Sequence, residues 1–497
     1  MLDVLYIHPN ASKVTYQGLS KSFSTIEPPI WALMLAKHSI NHDYSVELID
    51  AEAKGLNVED LCEEVHDYNP KLVCIVVYGQ QPSASAQNMQ GVHEITEHLK
   101  TSYPHYKILL VGLYPSAIPR KTITDEKVDF VCQGEGPRTI NQLLQVENLN
   151  DVSKLSKVQD LWYRDGENIC FSFKGGNIAN LDEELPGFAW ELIDFKDYRT
   201  ATWHSYSNKT EAYPFASIYT SLGCPYKCNF CCINAPFGNN NVENTGIQGK
   251  SFRYWSPEFT IQQFDYFADH GIKNIKIADE MFVYNPKHFL RLANLIIERE
   301  YDFNIWAYSR VDTIKQRYLN TLKEAGFNWL ALGIESGSRK VRRDVTKGNF
   351  EEVDISAIVS EVNSNDIHVG SNFIFGLPED NLETMQQTLD LAIELNTPLA
   401  NFYCAMAYPG SQLYVQALVD KLELPKNYSG FSQHSRDSFP LNTKYLHRHE
   451  VLKFRDEAFI TYHTSEKYIK MLHRAFGDKA VSRNQEMLKI GLKRDFV

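Results

Sequence analysis

The chain has 497 residues, with 50 Lys+Arg against 62 Asp+Glu and a formal charge of −12. That acidic balance argues against an extended nucleic-acid or anionic-membrane surface, because phosphate recognition needs clustered cations. Its 43% hydrophobic and 23% charged residues suit ordinary folded cores, and the length suits about three domains. No apolar run reaches the roughly 18 residues of a bilayer span. The start, MLDVLYIHPN, lacks the basic-apolar-small order of a signal peptide, so a cytoplasmic location without membrane attachment is expected.

Residues 1–145 alternate β-rich and helical stretches. Val4–Ile7, Val46–Ile49, Leu72–Val77, Ile108–Val111 and Phe130–Cys132 read as strands, with helices near 30–40, 58–67 and 85–99. Continuously apolar runs such as Leu72–Val77 suit a parallel sheet buried on both faces. The expected fold is a doubly wound, Rossmann-like α/β domain, whose ligands sit at the carboxyl ends of the strands. Those ends carry His8-Pro9, Asp50-Ala51, the loop from Gly79 through Gln80 to Ser85, Gly112–Ser116 and Gly134-Glu135-Gly136. Small and hydroxyl residues there let backbone approach a large ligand, although each stretch also reads as an ordinary βα turn.

Residues 146–212 read as a connector containing a hairpin that turns at Asp165-Gly166. From 213 to 415 the alternation resumes, with strands at Ala216–Thr220, Asn274–Ile277, Asn304–Tyr308, Trp329–Gly333, Ser371–Phe375 and Asn401–Ala405. Six β/α units suggest a partial, TIM-like barrel with its chemistry at the strand C-termini. Residues 416–497 read as a helical subdomain, with helices at Glu450–Tyr462 and Glu466–Phe476. The sequons at Asn10, Asn208 and Asn427 carry no meaning in a cytoplasmic chain.

Of nine cysteines, five are scattered singly through apolar stretches, and four, Cys224, Cys228, Cys231 and Cys232, crowd one loop after the first barrel strand. The spacing C-x3-C-x2-C lets one loop wrap three thiolates around an iron–sulfur cluster, while a structural zinc site asks for a fourth ligand. Cys232, adjacent to Cys231, points elsewhere and reads as a packed neighbour.

This loop, with Phe230 before its last cysteine, resembles the radical SAM superfamily. The resemblance implies a [4Fe–4S] cluster on Cys224, Cys228 and Cys231 whose open iron is chelated by S-adenosylmethionine. Phe230 belongs to the same cofactor site. The resemblance further places Glu280 on the methionine amino group, in a strand end that lacks the family's two glycines. Arg310 matches the methionine carboxylate, and Glu335 or Ser336 the ribose hydroxyls.

The N-terminal half resembles the cobalamin-binding domain of one branch of that superfamily, through Glu27-Pro28-Pro29, Ile49-Asp50-Ala51, the Ser83/Ser85 loop, Val111–Pro115 and Gly134-Glu135-Gly136. It implies cobalamin contacts at Ser83, Ser85, Gly112, Tyr114, Gly134 and Glu135. The Asp-x-His-x-x-Gly element that ligates cobalt is absent; His8 is a possible lower-face residue, or an ordinary loop histidine. The implied activity is methyl transfer from methylcobalamin to a carbon or phosphinate radical on a small molecule. A one-electron reductant such as flavodoxin or ferredoxin would serve it. Non-methylating radical chemistry and a non-catalytic cobalamin or redox sensor stand as alternatives. Trp203, Trp255, Trp306, Tyr308 and Trp329 are candidate cavity aromatics, Cys404 a candidate reactive thiol, and Tyr462, His463 and Tyr468 candidates for closing the pocket.

Overall fold

The computed structural model describes residues 2–79, 81–206, 211–238, 252–345, 350 and 352–495; Gln80 of the third strand-end loop and the Asn208 sequon lie outside them. The first sheet contains β1 (Leu2–His8), β2 (Val46–Asp50), β3 (Pro70–Val77), β4 (Ile108–Gly112) and β5 (Phe130–Cys132) in the parallel order β2-β1-β3-β4-β5. β3 and β4 are buried almost end to end, as their continuous apolar runs require. The order reverses between β1 and β3, and that switch point opens a crevice beyond the carboxyl ends of both strands.

The hairpin read as part of a connector extends this sheet. β6 (Leu161–Asp165) runs antiparallel to β5, and β7 (Asn168–Phe171) closes the edge, so the sheet has seven strands. Leu161 and Tyr163 are buried, which gives the pair an apolar face to lay against the sheet layer.

The second sheet contains β8 (Phe215–Ile218), β11 (Asn274–Ile277), β12 (Asn304–Arg310), β13 (Phe327–Glu335), β14 (His368–Phe375) and β15 (Leu399–Cys404). All neighbours are parallel, in the order β15-β14-β13-β12-β11-β8, which makes the six-stranded partial barrel. Two short strands that the sequence did not announce, β9 (Ser221–Leu222) and β10 (Arg253–Tyr254), pair antiparallel beside the cysteine loop. The C-terminal helix runs Glu466–Leu488 across a kink at Gly477, whose φ of 75° breaks the helical backbone, so helix continues past the expected end. One apolar core runs through both sheets and the helix Ile30–Ile40, which is buried almost all round. Among the described residues no helix is long and apolar enough to cross a membrane.

Candidate active site at the barrel mouth

The cysteine loop is pinned at its root by Asp279, two residues beyond the end of β11. Its carboxylate accepts from Thr220 N (2.6 Å), Thr220 Oγ1 (2.6 Å), Ser221 N (3.1 Å) and Ser221 Oγ (2.7 Å). Burial raises the group to about 6 while the Thr220 and Ser221 bonds oppose it. Gly223, with φ at 82°, then lets the chain turn into the loop. Asn234 clamps the loop from its far side: its Oδ1 accepts from Cys224 N (3.1 Å) and its Nδ2 donates to Cys224 O (3.2 Å). Loop backbone is also stitched outward, since Asn229 N donates to Val345 O and Asn229 O accepts from Leu413 N.

The loop faces a cavity of about 220 Å³ lined by Cys224, Cys228, Cys231, Phe230, Glu280, Arg310 and Glu335, and by Gln81, Pro82 and Ser83 of the first domain. Without a metal, burial pushes the Cys228 thiol up to about 12 and Cys224 and Cys231 well above their ordinary value. A cationic cluster is what converts such thiols to ligating thiolates, so the donor set fits one. Among the described residues no three His, Cys, Asp or Glu side chains gather on a single-ion point; the thiols instead lie around one cavity, an arrangement that suits a cluster. Cys232, read from the sequence as a packed neighbour, is buried but also lines this cavity.

Arg310 is held by two bonds to Asp312, at 2.8 and 2.5 Å, and its guanidinium lies 3.8 Å from the Tyr226 ring centre and 4.7 Å from Phe350. Its Nη1 is buried without a partner. An oriented cation with one unused buried donor fits a ligand carboxylate. Glu280 and Glu335 turn into the same cavity, and burial raises each to about 7. Glu335 reaches it from a left-handed backbone (φ 66°) after a register shift in β13. A Cβ at Gly333 would stand 2.6 Å from the Glu335 carboxylate, so that glycine makes its room. Ser336 goes elsewhere: its Oγ pairs with Thr388 Oγ1 at 3.1 Å and accepts from Ser338 N, outside the cavity. Of the two ribose candidates, only Glu335 lines the site.

The first-domain candidates divide. Ser83 lines the cluster cavity. Ser85 does not reach it; its Oγ donates to Val77 O (2.5 Å) and accepts from Tyr114 N (2.9 Å), bracing β3 against β4. Gly112, at φ 146°, sits so close to β3 that a Cβ would lie 2.3 Å from Val77 O. Tyr114 is buried and meets Tyr428 edge-on. Gly134 exchanges hydrogen bonds with Ser116. Glu135 pairs with Arg253 at 2.5 Å and accepts from Ile178 N, tying the sheet edge to β10. These residues shape the edge from behind. What faces outward is a narrow cleft lined by His8, Glu27, Trp31, Tyr78, Gly79 and Tyr219. His8 lies 3.7 Å from the Glu52 carboxylate. Trp31 and Tyr78 stack at 4.3 Å, and Trp31 Nε1 and Tyr78 Oη are both buried without partners. Two unused polar atoms in an apolar crevice fit a large ligand with a polar periphery.

Trp203, Trp306 and Tyr308 line a third cavity of about 250 Å³ with His463 and Tyr468. It shares Tyr308, Tyr403, Tyr408 and Gln81 with the cluster cavity and Tyr16, Glu27 and Gln87 with the cleft. Trp255 and Trp329 are core residues; Tyr462 donates to Thr397 O behind the wall. Cys404 lines the cluster cavity as a buried thiol that burial pushes to about 12. Asn234, Asp279 and Asp312 positioned the site without being singled out; the partners of Asn234 and Asp279 are near only in space, whereas Asp312 pairs with Arg310 two residues away.

Comparison with known proteins agrees with this layout. Residues 218–392 match the family model of the Radical SAM superfamily, and residues 16–144 that of the B12 binding domain. An uncharacterized methyltransferase, PH0819, of Pyrococcus horikoshii is 25% identical over 456 residues, covering 92% of each chain. The anaerobic magnesium-protoporphyrin IX monomethyl ester cyclase of Cereibacter sphaeroides is 21% identical, over 85% of this chain and 64% of its own. The fold matches the solved cobalamin-dependent S-adenosylmethionine radical enzyme OxsB, with a TM-score of 0.66 at 15% identity, over 98% of this chain and 71% of that one. A B12-binding domain and a radical SAM domain in one chain make this protein a member of the cobalamin-dependent radical SAM enzymes.

Proposed function

We propose that the protein is a radical SAM methyltransferase in which Cys224, Cys228 and Cys231 hold the [4Fe–4S] cluster. Glu280 accepts from the S-adenosylmethionine amino group, Arg310 binds its carboxylate and Glu335 its ribose. The carboxyl edge of the first sheet, with Ser83 and the Trp31–Tyr78 cleft, takes cobalamin. When bound, these groups supply one-electron sulfonium cleavage and a transferable methyl group. The observation that carries the reading is that the three thiols, Glu280, Arg310 and Glu335 share one cavity with Ser83 of the first domain.

The chain's own contribution is placement. Asp279 and Asn234 fix the cysteine loop, and Asp312 with Tyr226 fixes the Arg310 fork before a ligand arrives, so little ordering remains to be done on binding. Ionised Glu280 is the better acceptor for the amino N–H, so affinity for S-adenosylmethionine rises with pH through about 7. Tyr468 and His463 form part of the far wall. A small-molecule substrate, a cytoplasmic setting and a flavodoxin- or ferredoxin-like reductant complete the proposal. Methyl transfer is the activity named for the Pyrococcus relative.

The test is anaerobic reconstitution with iron, sulfide and hydroxocobalamin, followed by reductant and S-adenosylmethionine. Formation of 5′-deoxyadenosine, S-adenosylhomocysteine and methylcobalamin is expected. Deoxyadenosine with neither of the other two products would overturn methyl transfer in favour of non-methylating radical chemistry. No product from fully loaded protein would overturn the enzymatic reading.

A further inference from the structure

Ten of the 27 residues lining the third cavity are Tyr, Phe or Trp, against 12% aromatic residues in the whole chain. Such enrichment marks a surface built for ring faces. Trp306 and Tyr308, two apart on β12, point the same way and stand 4.8 Å apart at 73°; Trp203 meets Trp306 edge-on at 5.0 Å. The charges in the lining are neutralised locally. Glu27 binds Lys276 Nζ at 2.8 and 2.9 Å, and Arg483 pairs with Glu486 at 3.0 Å while lying over Phe23. His463 is held neutral, burial lowering it to about 4. Two polar atoms of the lining are left over: the indole Nε1 of Trp306, a residue only 4% exposed, and Gln433 Oε1 are both buried with no partner. An unpartnered buried donor in a cavity wall asks for an acceptor from a ligand.

We infer that this chamber takes an uncharged, planar aromatic or heteroaromatic substrate of about one to three fused rings, stacked on the tryptophan and tyrosine walls with an acceptor on Trp306 Nε1. Size sets the upper limit: a cavity of about 150 Å³ accommodates benzene, and this one measures about 250 Å³. The shared residues Tyr308 and Tyr403 put one edge of such a ring system at the cluster cavity, where chemistry on it would occur. The inference rests on the functional reading above, since it assigns the substrate of that same site.

Equilibrium dialysis against anaerobically loaded holoprotein, with cluster, cobalamin and S-adenosylmethionine, tests it using three neutral probes: quinoline, naphthalene and 2-decalone. Quinoline has a flat face and an acceptor, naphthalene only the face, and 2-decalone only the acceptor. Quinoline is expected to bind about fivefold tighter than naphthalene, the increment of one hydrogen bond, and tighter than 2-decalone. Trp306→Phe should erase the quinoline preference while the cluster absorbance stays, and Trp203→Leu should weaken both planar probes. Equal binding of 2-decalone and quinoline, a preference that survives in Trp306→Phe, or no binding of any probe would overturn the inference. Deoxyadenosine assayed in the same preparation separates the two readings. If it forms while no probe binds, only the substrate class falls; if probes bind and none forms, the ring-binding chamber stands and the enzymatic reading falls.

Discussion

The barrel mouth and the carboxyl edge of the first sheet face each other but are built on different principles. At the barrel mouth, side chains carry the function: three thiols, two carboxylates lifted to about 7 and a guanidinium with a free buried N–H all turn into the cavity. At the sheet edge, Ser85, Gly112, Gly134 and Glu135 turn inward, on backbone or on Arg253, and what they leave is a shaped crevice. A small charged ligand needs specific donors and acceptors, whereas a large macrocycle is held by surface fit and a few polar contacts. The first site is therefore sensitive to a functional group, and the second to a volume.

Substitutions that test this contrast follow, from the largest expected effect to the smallest. Cys224→Ala should abolish cluster binding, read as iron content, and all deoxyadenosine formation, while cobalamin retention persists; full iron content would contradict the assignment. Gly112→Ala pushes a Cβ into Val77 O at a backbone angle that side chains rarely adopt. It should cost about 3 kcal/mol or more in thermal unfolding and strip cobalamin while a folded barrel keeps its cluster. Arg310→Lys loses the two-pronged Asp312 bond and the ring stacking, and should weaken S-adenosylmethionine binding by roughly 30-fold, about 2 kcal/mol, with cobalamin retention unaltered.

A pH series probes the far end of the barrel, where the connector meets the start of β12. His204 is buried, its Nε2 bonded to Asn304 O on β12, and burial lowers it to about 3 from 6.5. It is neutral in the fold, so its contribution is full above pH 6.5 and is lost as pH falls below that value. The stability gap between the native chain and His204→Asn should shrink by about 2 kcal/mol from pH 7 to pH 5, measured by denaturant midpoint. A gap constant with pH would contradict a buried neutral imidazole. The smallest contrast lies within one loop: Ser85→Ala should cost about 1 kcal/mol of stability with little change in cobalamin binding, whereas Ser83→Phe should impair cobalamin binding at nearly native stability. Equal effects of the two would erase the distinction between lining and bracing.

Much of the fold was legible because burial writes itself locally. Leu72–Val77 reads as a doubly covered strand from its residues alone, and the C-x3-C-x2-C spacing places three thiols on one loop. Glu280, Arg310 and Glu335 were findable because each lies at or just beyond the carboxyl end of a strand, and barrel strands end at one mouth. The choice between Glu335 and Ser336 was not, since it depends on the register shift and left-handed backbone at the end of β13. Nor was the inward turn of Ser85 and Glu135, because their partners, Val77 and Arg253, are set by tertiary packing. Asn234 is 10 residues from Cys224 with no spacing rule to connect them.

The central claim is that the two cofactor sites open on one chamber. Its most direct test is electron paramagnetic resonance of the anaerobically reconstituted protein, comparing the cob(II)alamin signal with the cluster oxidised and reduced. Through-space coupling across a shared chamber predicts a cob(II)alamin signal broadened, and faster relaxing, when the cluster is reduced. A signal identical in both cluster states, in protein loaded with both cofactors, would contradict it.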